Sequence, residues 1–169
     1  MESHLQEIYR RLYARFGPQD WWPARTRCEV IVGAILTQNT NWKNVEKALK
    51  NLRKEQLLSL PALKKVSTSR LSRLIKPAGY FNIKAMRLKN FIAFTFSRYG
   101  GDLNRMGRQP VGTLREKLLS INGIGPETAD SILLYAFDKP VFVVDAYTKR
   151  FLVRHNLLEK SAGYNEVQK

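Results

Sequence analysis

The stretch Leu114–Arg150, LREKLLSINGIGPETADSILLYAFDKPVFVVDAYTKR, decides how the whole chain is read. Two apolar-periodic segments flank the tight turn Asn122-Gly123-Ile124-Gly125-Pro126, and Asp145 follows the apolar run Val141–Val144. The spacing predicts a helical hairpin over residues 114–137. Pro126 suits the first position of the second helix, where its missing N–H would be unpaired anyway. The turn from Gly123 through Ile124 and Gly125 to Thr128 can aim main-chain N–H groups outward where a helix N-terminus is already electropositive. That combination suits a phosphate and is blind to base sequence. Two glycines alone would equally fit an ordinary helix–turn–helix corner.

Working outward, Thr113 and Glu116 read as a capping box that opens the first hairpin helix. Asp138-Lys139-Pro140 closes the second. Asp145 opens a further helix to about Leu157, and Ser161–Lys169 looks like the start of another. Upstream, Leu5, Ile8, Tyr9, Leu12 and Phe16 recur at helical spacing, which predicts a first helix with one buried face ending before Gly17-Pro18. After the aromatic loop Gln19-Asp20-Trp21-Trp22-Pro23, Thr26 and Glu29 form a capping box for a buried helix over Cys28–Leu36, in which Gly33 permits close packing. Thr37–Asn41 is a polar break before a helix with Val45, Leu49 and Leu52 on one face. Ser59-Leu60-Pro61 and Ser67-Thr68-Ser69 start two short helices, and Lys76-Pro77-Ala78-Gly79 ends the second. Asn82 is the expected cap of the longest helix, with Leu88, Phe91, Ile92, Thr95 and Tyr99 on one side and Gly100-Gly101 as its stop. No alternating pattern exceeds Val141–Val144 and no repeat is visible, so the expected fold class is all-α.

At 169 residues with 44% hydrophobic content, the chain is long and apolar enough for a packed core. Its net charge of +15 and pI near 10.2 point to a polyanionic partner, either nucleic acid or an anionic membrane. No acidic residue lies between Glu55 and Asp102, while Lys64, Lys65, Arg70, Arg73, Lys76, Lys84, Arg87, Lys89 and Arg98 do. Solubility needs only mixed charge, so this block is read as a phosphate-facing surface rather than a solvated one. Cys28 is the sole cysteine, and His4 and His155 show no metal-ligand spacing. The amphipathic N-terminal stretch does not read as a signal peptide, and no apolar run approaches membrane-spanning length. A cytoplasmic, nucleoid-associated monomer is expected.

A wider pattern sharpens this reading. Leu118-x-x-Ile121-x-Gly123-Ile124-Gly125-x-x-Thr128-Ala129-Asp130, followed by Val141-Phe142-Val143-Val144-Asp145, resembles the signature of the helix-hairpin-helix DNA glycosylases of the endonuclease III superfamily. Ile35-Leu36-Thr37-Gln38-Asn39-Thr40 and Gly79-Tyr80-Phe81-Asn82-Ile83-Lys84-Ala85 extend the likeness in the right order, from about Trp21 onward. The resemblance implies two helical subdomains, here 24–137 and a discontinuous 1–23 plus 138–169. It also implies bent duplex DNA and a damaged nucleotide flipped between the subdomains for cleavage of its N-glycosidic bond. Asp145 matches the catalytic aspartate. An aspartate there is also a favoured N-cap, and the roles agree, because a helix N-terminus favours the ionised carboxylate. Gln38 matches a residue inserted into the gap left by the flipped nucleotide, although a loop-capping glutamine reads the same way. Tyr80 and Phe81 would face the opposite strand or belong to the core, and Lys84 and Arg87 would contact phosphates or be solvated.

Relatives that also cut the abasic strand carry a lysine where this chain has Glu127. A carboxylate cannot form a Schiff base with the sugar, so a monofunctional enzyme without lyase activity is expected. Trp21-Trp22-Pro23 and Trp42 look like the bacterial 3-methyladenine glycosylases of the superfamily. A cationic alkylated purine leaves without a general acid and is held by aromatic faces, so Trp21, Trp22 and Trp42 are the expected base pocket, against the alternative that two of them are core. No cofactor is expected in this chain. The resemblance brings in an iron–sulfur cluster only with a cysteine-bearing C-terminal tail, and leaves room for a monovalent cation at the hairpin carbonyls. The partner is double-stranded DNA with a damaged base. The alternatives are an endonuclease III-like glycosylase for oxidised or mismatched bases, and a non-catalytic DNA-binding module.

Overall fold

The computed structural model describes residues 2–19 and 21–168. Met1 and Lys169, at the ends of the expected second subdomain, and Asp20 in the aromatic loop lie outside the described residues. The described residues form helices and connections, with no strand among them.

The centre is α2, Arg27–Thr37, whose residues Cys28 to Leu36 are all buried. A helix apolar on every side needs neighbours on every side. It lies between α3, Trp42–Lys54, and α9, Pro126–Phe137, with α6, Phe81–Tyr99, also against it. Thr26 caps α2 by accepting from the Glu29 N–H at 3.1 Å. Glu29 does not complete a box on Thr26. Its buried carboxylate accepts from the Arg25 N–H at 3.0 Å and pairs with Arg53 of α3. Gly33 makes room for a side chain rather than a helix, since a Cβ there would sit 3.2 Å from the Trp22 ring.

Asn41, Ser59 and Ser67 cap α3, α4 (Leu60–Lys65) and α5 (Thr68–Leu74), each through a side-chain oxygen accepting an N–H of the first turn. A short 3-10 turn, Lys76–Ala78, ends at Gly79 with φ 68°. Asn82 does not cap α6: Tyr80 takes that place in left-handed geometry, and Asn82 accepts from the Ser72 hydroxyl at 2.5 Å. Gly100 and Gly101, at φ 66° and 83°, end α6 as read. A further helix, α7 (Leu103–Gly107), follows because the Asp102 carboxylate accepts from the Asn104 and Arg105 N–H groups. Thr113 and Glu116 do not open the next helix either. α8 runs Val111–Leu119, with its cap three residues earlier than Thr113, because Pro110 has already set the chain at its start.

The continuous core is drawn from Cys28 to Phe137. Beyond it, α10 (Ala146–Arg154) and α11 (Tyr164–Gln168) carry the chain on, with Val144 and Val167 buried. The first helix, α1 (Glu2–Phe16), departs from expectation: Leu5, Tyr9, Leu12 and Phe16 are 43–65% exposed. Helical spacing reports an amphipathic helix; whether something covers the apolar stripe is a separate, tertiary fact. Among the described residues no helix is long and apolar enough to cross a membrane.

Candidate active site and nucleic-acid interface

The hairpin is α8, the turn and α9, and its geometry follows from two glycines. Gly123 sits at φ +94°, and a Cβ there would fall 2.2 Å from Arg87 Cγ, so the arginine stem lies directly on the turn. Gly125 is the N-cap of α9 and Pro126 its first residue, and no side chain caps this helix start. The first-turn donors of α9 therefore stay open, in the arrangement that binds an anion. The Ile124 N–H is not among the open donors. It donates to Ile121 O at 3.0 Å, and the isoleucine side chain is buried. Gln38 ties the end of α2 to the turn: its amide nitrogen donates to Gly123 O at 3.0 Å and Thr128 Oγ1 at 2.9 Å, and its oxygen accepts from Arg87. Asn90 adds a bond to Asn122 O at 3.1 Å. Gln38 and Thr128 are thus brought to the hairpin as structural partners of its loop.

Lys84 does not face a phosphate. It is 1% exposed, and its ammonium donates to Leu36 O at 2.8 Å and Ala78 O at 2.7 Å, satisfying carbonyls at the ends of α2 and the 3-10 turn. Burial, and then Arg87, push its pKa down to about 8. Such a group cannot reach a phosphate. Lys84→Met is expected to cost roughly 1–3 kcal/mol of stability through the two orphaned carbonyls. It should leave the salt dependence of duplex binding, measured by titration at several salt concentrations, unchanged. A shallower salt slope would return Lys84 to the interface.

The rest of the basic block is also partly internal. Lys89 donates to Leu63 O at 2.8 Å and to Val66 O, Arg70 pairs with Glu55, and Lys64 lies 4.1 Å over the Phe96 ring. Lys65, Arg73, Lys76 and Arg98 stay exposed. The block is therefore not one continuous phosphate-facing surface.

Asp145 is the N-cap of α10, and one oxygen, Oδ1, accepts both the Thr148 N–H at 2.7 Å and its hydroxyl at 2.8 Å. No donor among the described residues reaches Oδ2. Glu127, in the first turn of α9, has its carboxyl pKa raised by partial burial and then by the Asp145 charge. The Tyr135 phenol, two turns along α9, is raised for the same two reasons in the same order. Both groups therefore lie within electrostatic reach of Asp145. Tyr135 in turn packs on Trp22, ring centroids 4.9 Å apart, and Trp22 meets Trp42 edge-on at 5.5 Å. The half-buried Trp22–Trp42 pair and Tyr135 form one aromatic cluster packed against the core, and Tyr135 is its link to Asp145. Trp21 is 71% exposed. The ring that packs on Trp22 beside Trp42 is Tyr135, which periodicity alone assigns simply to the hairpin helix.

Cys28 is buried within α2, and burial with Glu29 pushes its thiol up to about 12, the reverse of what a thiolate ligand needs. The described residues bring together no group of three His, Cys, Asp or Glu side chains placed to hold a metal. These residues do not fit an iron–sulfur cluster.

Residues 32–169 match the family model described as HhH-GPD superfamily base excision DNA repair protein. The chain belongs to the HhH-GPD superfamily. Among HhH-GPD relatives, a candidate DNA repair glycosylase of Methanocaldococcus jannaschii is 51% identical over 166 residues, covering 97% of this chain and 75% of that protein. Endonuclease III of Thermotoga maritima is 31% identical over 148 residues, covering 86% of this chain and 63% of the relative. The crystal structure of the H. pylori 3-methyladenine DNA glycosylase bound to 1,N6-ethenoadenine superposes with a TM-score of 0.83 at 32% identity, covering 98% of this chain and 77% of that one. The all-helical fold of the chain is that of the HhH-GPD superfamily.

Proposed function

We propose that this HhH-GPD protein is a monofunctional DNA glycosylase that removes an alkylated purine, such as 3-methyladenine, from duplex DNA. The observation that carries the reading is the Trp22–Trp42–Tyr135 cluster, whose Tyr135 lies, like Glu127, within electrostatic reach of Asp145. The open donors at the start of α9 hold a backbone phosphate and fix the register of the duplex. The flipped base stacks on the Trp22–Trp42 pair, whose faces favour a cationic ring by stacking and cation–π attraction. The C1′–N bond then breaks with its electron pair going to the base, which leaves neutral. That departure needs no proton donor. Oδ2 of Asp145 stabilises the positive sugar, and water attacks C1′ as the aspartate takes its proton. Glu127 stands where a lyase would present an amine, so the sugar is released by water alone. The H. pylori relative, named for 3-methyladenine, supports the choice of base.

A panel of duplexes, each carrying one lesion, tests this directly. Release of 3-methyladenine, with oxidised pyrimidines and mismatched thymine left in place, is the expected result. Preferential release of an oxidised or mismatched base would transfer the protein to the endonuclease III-like reading. Salt-sensitive binding without release of any base would make it a non-catalytic module.

A further inference from the structure

The segment that delivers Asp145 lies between α9 and α10 and has no regular structure of its own. Among the described residues, no backbone–backbone bond to a neighbouring element holds it between Pro140 and Val144. Two side chains of α11 hold it instead. Gln168 donates to Phe142 O at 2.9 Å, and the Val144 N–H donates to the Tyr164 hydroxyl at 3.4 Å. Both side chains then converge on one buried carboxylate. Tyr164 Oη and Gln168 Nε2 donate to Asp130 Oδ2 at 2.7 and 2.8 Å. From α8, Arg115 donates Nε to Oδ1 at 2.7 Å and its second nitrogen to Oδ2 at 3.1 Å.

Asp130 is 0% exposed and sits on α9, one turn beyond Glu127. An apolar pair would hold α8 against α9 at least as well as this ion pair, because burying charge costs desolvation. What an apolar pair lacks is a directional grip. The carboxylate fixes the orientation of the Tyr164 hydroxyl and the Gln168 amide, and these fix the peptide units on either side of Val143. Asp145 follows immediately, its other side set by the Thr148 cap.

We infer that Asp130, acting through Tyr164 and Gln168, is a positioning residue that sets the place of Asp145 relative to the hairpin. The inference rests on the catalytic reading of Asp145 given above. The same helix α9 would then carry at its start the donors that anchor DNA and, one turn on, the anchor that aligns the carboxylate. Register between phosphate and reacting sugar is fixed within one rigid element.

Tyr164→Phe keeps the ring and removes the hydroxyl, and Gln168→Leu removes the second grip. The measurement is the single-turnover rate of base release from alkylated duplex at saturating protein, normalised to active-site titre. Affinity for a duplex with an uncleavable abasic analogue and the thermal midpoint are measured alongside. Release is expected to slow roughly ten- to a hundredfold in Tyr164→Phe, on the scale of a sub-ångström to one-ångström misplacement, and less in Gln168→Leu. Duplex affinity should stay at the parent value. Asp145→Asn, run in parallel, separates the two readings. Release surviving in Asp145→Asn overturns the catalytic role itself. Release lost there but intact in both Tyr164→Phe and Gln168→Leu overturns positioning alone. A slowing matched by equal losses of duplex affinity and thermal midpoint also overturns positioning, since it reports only a weakened fold.

Discussion

Asp145→Asn is expected to bind alkylated duplex as tightly as the parent protein and to release essentially no base from it. Asparagine is among the best N-cap residues, and its oxygen can keep the two bonds from Thr148 that now end on Oδ1. The start of α10 should therefore survive, and any stability change should be small. What is lost is the negative charge on Oδ2, an oxygen that no donor among the described residues engages. In a partly desolvated site facing a sugar that becomes cationic, removing such a charge should cost on the order of a thousandfold or more in rate, above the usual loss for one neutral donor. Single-turnover release at saturating protein measures it, and abasic-analogue binding checks the fold. Parent-like release in this variant would reduce Asp145 to a cap and leave the chemistry without a carrier.

The helices were legible because each begins with a local signal. Thr26, Ser59, Ser67 and Asp145 are short polar residues just before apolar-periodic runs, and each caps through its own side chain. Where reading failed on fold, a nearby signal had already taken effect. Pro110 starts α8 ahead of Thr113, and the turn through Gly79 and Tyr80 starts α6 ahead of Asn82. The site was legible in its motif and not in its neighbours. Lys84 lay in a run of like charge, and nothing along the sequence reveals that its ammonium finds carbonyls 48 and 6 residues away. Tyr135, Arg115 and Tyr164 belong to the same class: their roles depend on partners far along the chain, which no periodicity encodes. The paired tryptophans read alike as letters, yet Gly33 gives room to Trp22 alone, and Trp21 turns to solvent.

The second large effect is a change of reaction rather than of rate. The parent protein is expected to leave the abasic strand uncut and to give no covalent complex on borohydride reduction, whereas Glu127→Lys should give a reducible adduct and measurable strand scission. Glu127 stands in the first turn of α9, and partial burial, then the Asp145 charge, raises its pKa. On the catalytic reading of Asp145, the prediction is that a side chain at position 127 reaches the sugar carbon which that aspartate stabilises. A lysine there would exchange a repulsive neighbour of Asp145 for an attractive one, so the substitution should be tolerated. The start of a helix disfavours a cation while Asp145 favours it, and the deprotonated fraction of the amine carries the attack. Attack on C1′ as the base leaves forms the carbon–nitrogen bond, and loss of a proton and ring opening give the imine that borohydride reduces. Scission or trapping by the parent protein would show that another amine reaches C1′ and would end the monofunctional reading. An inert Glu127→Lys that still releases base would place residue 127 away from the sugar and shift the limit on this chemistry to some other feature of the hairpin.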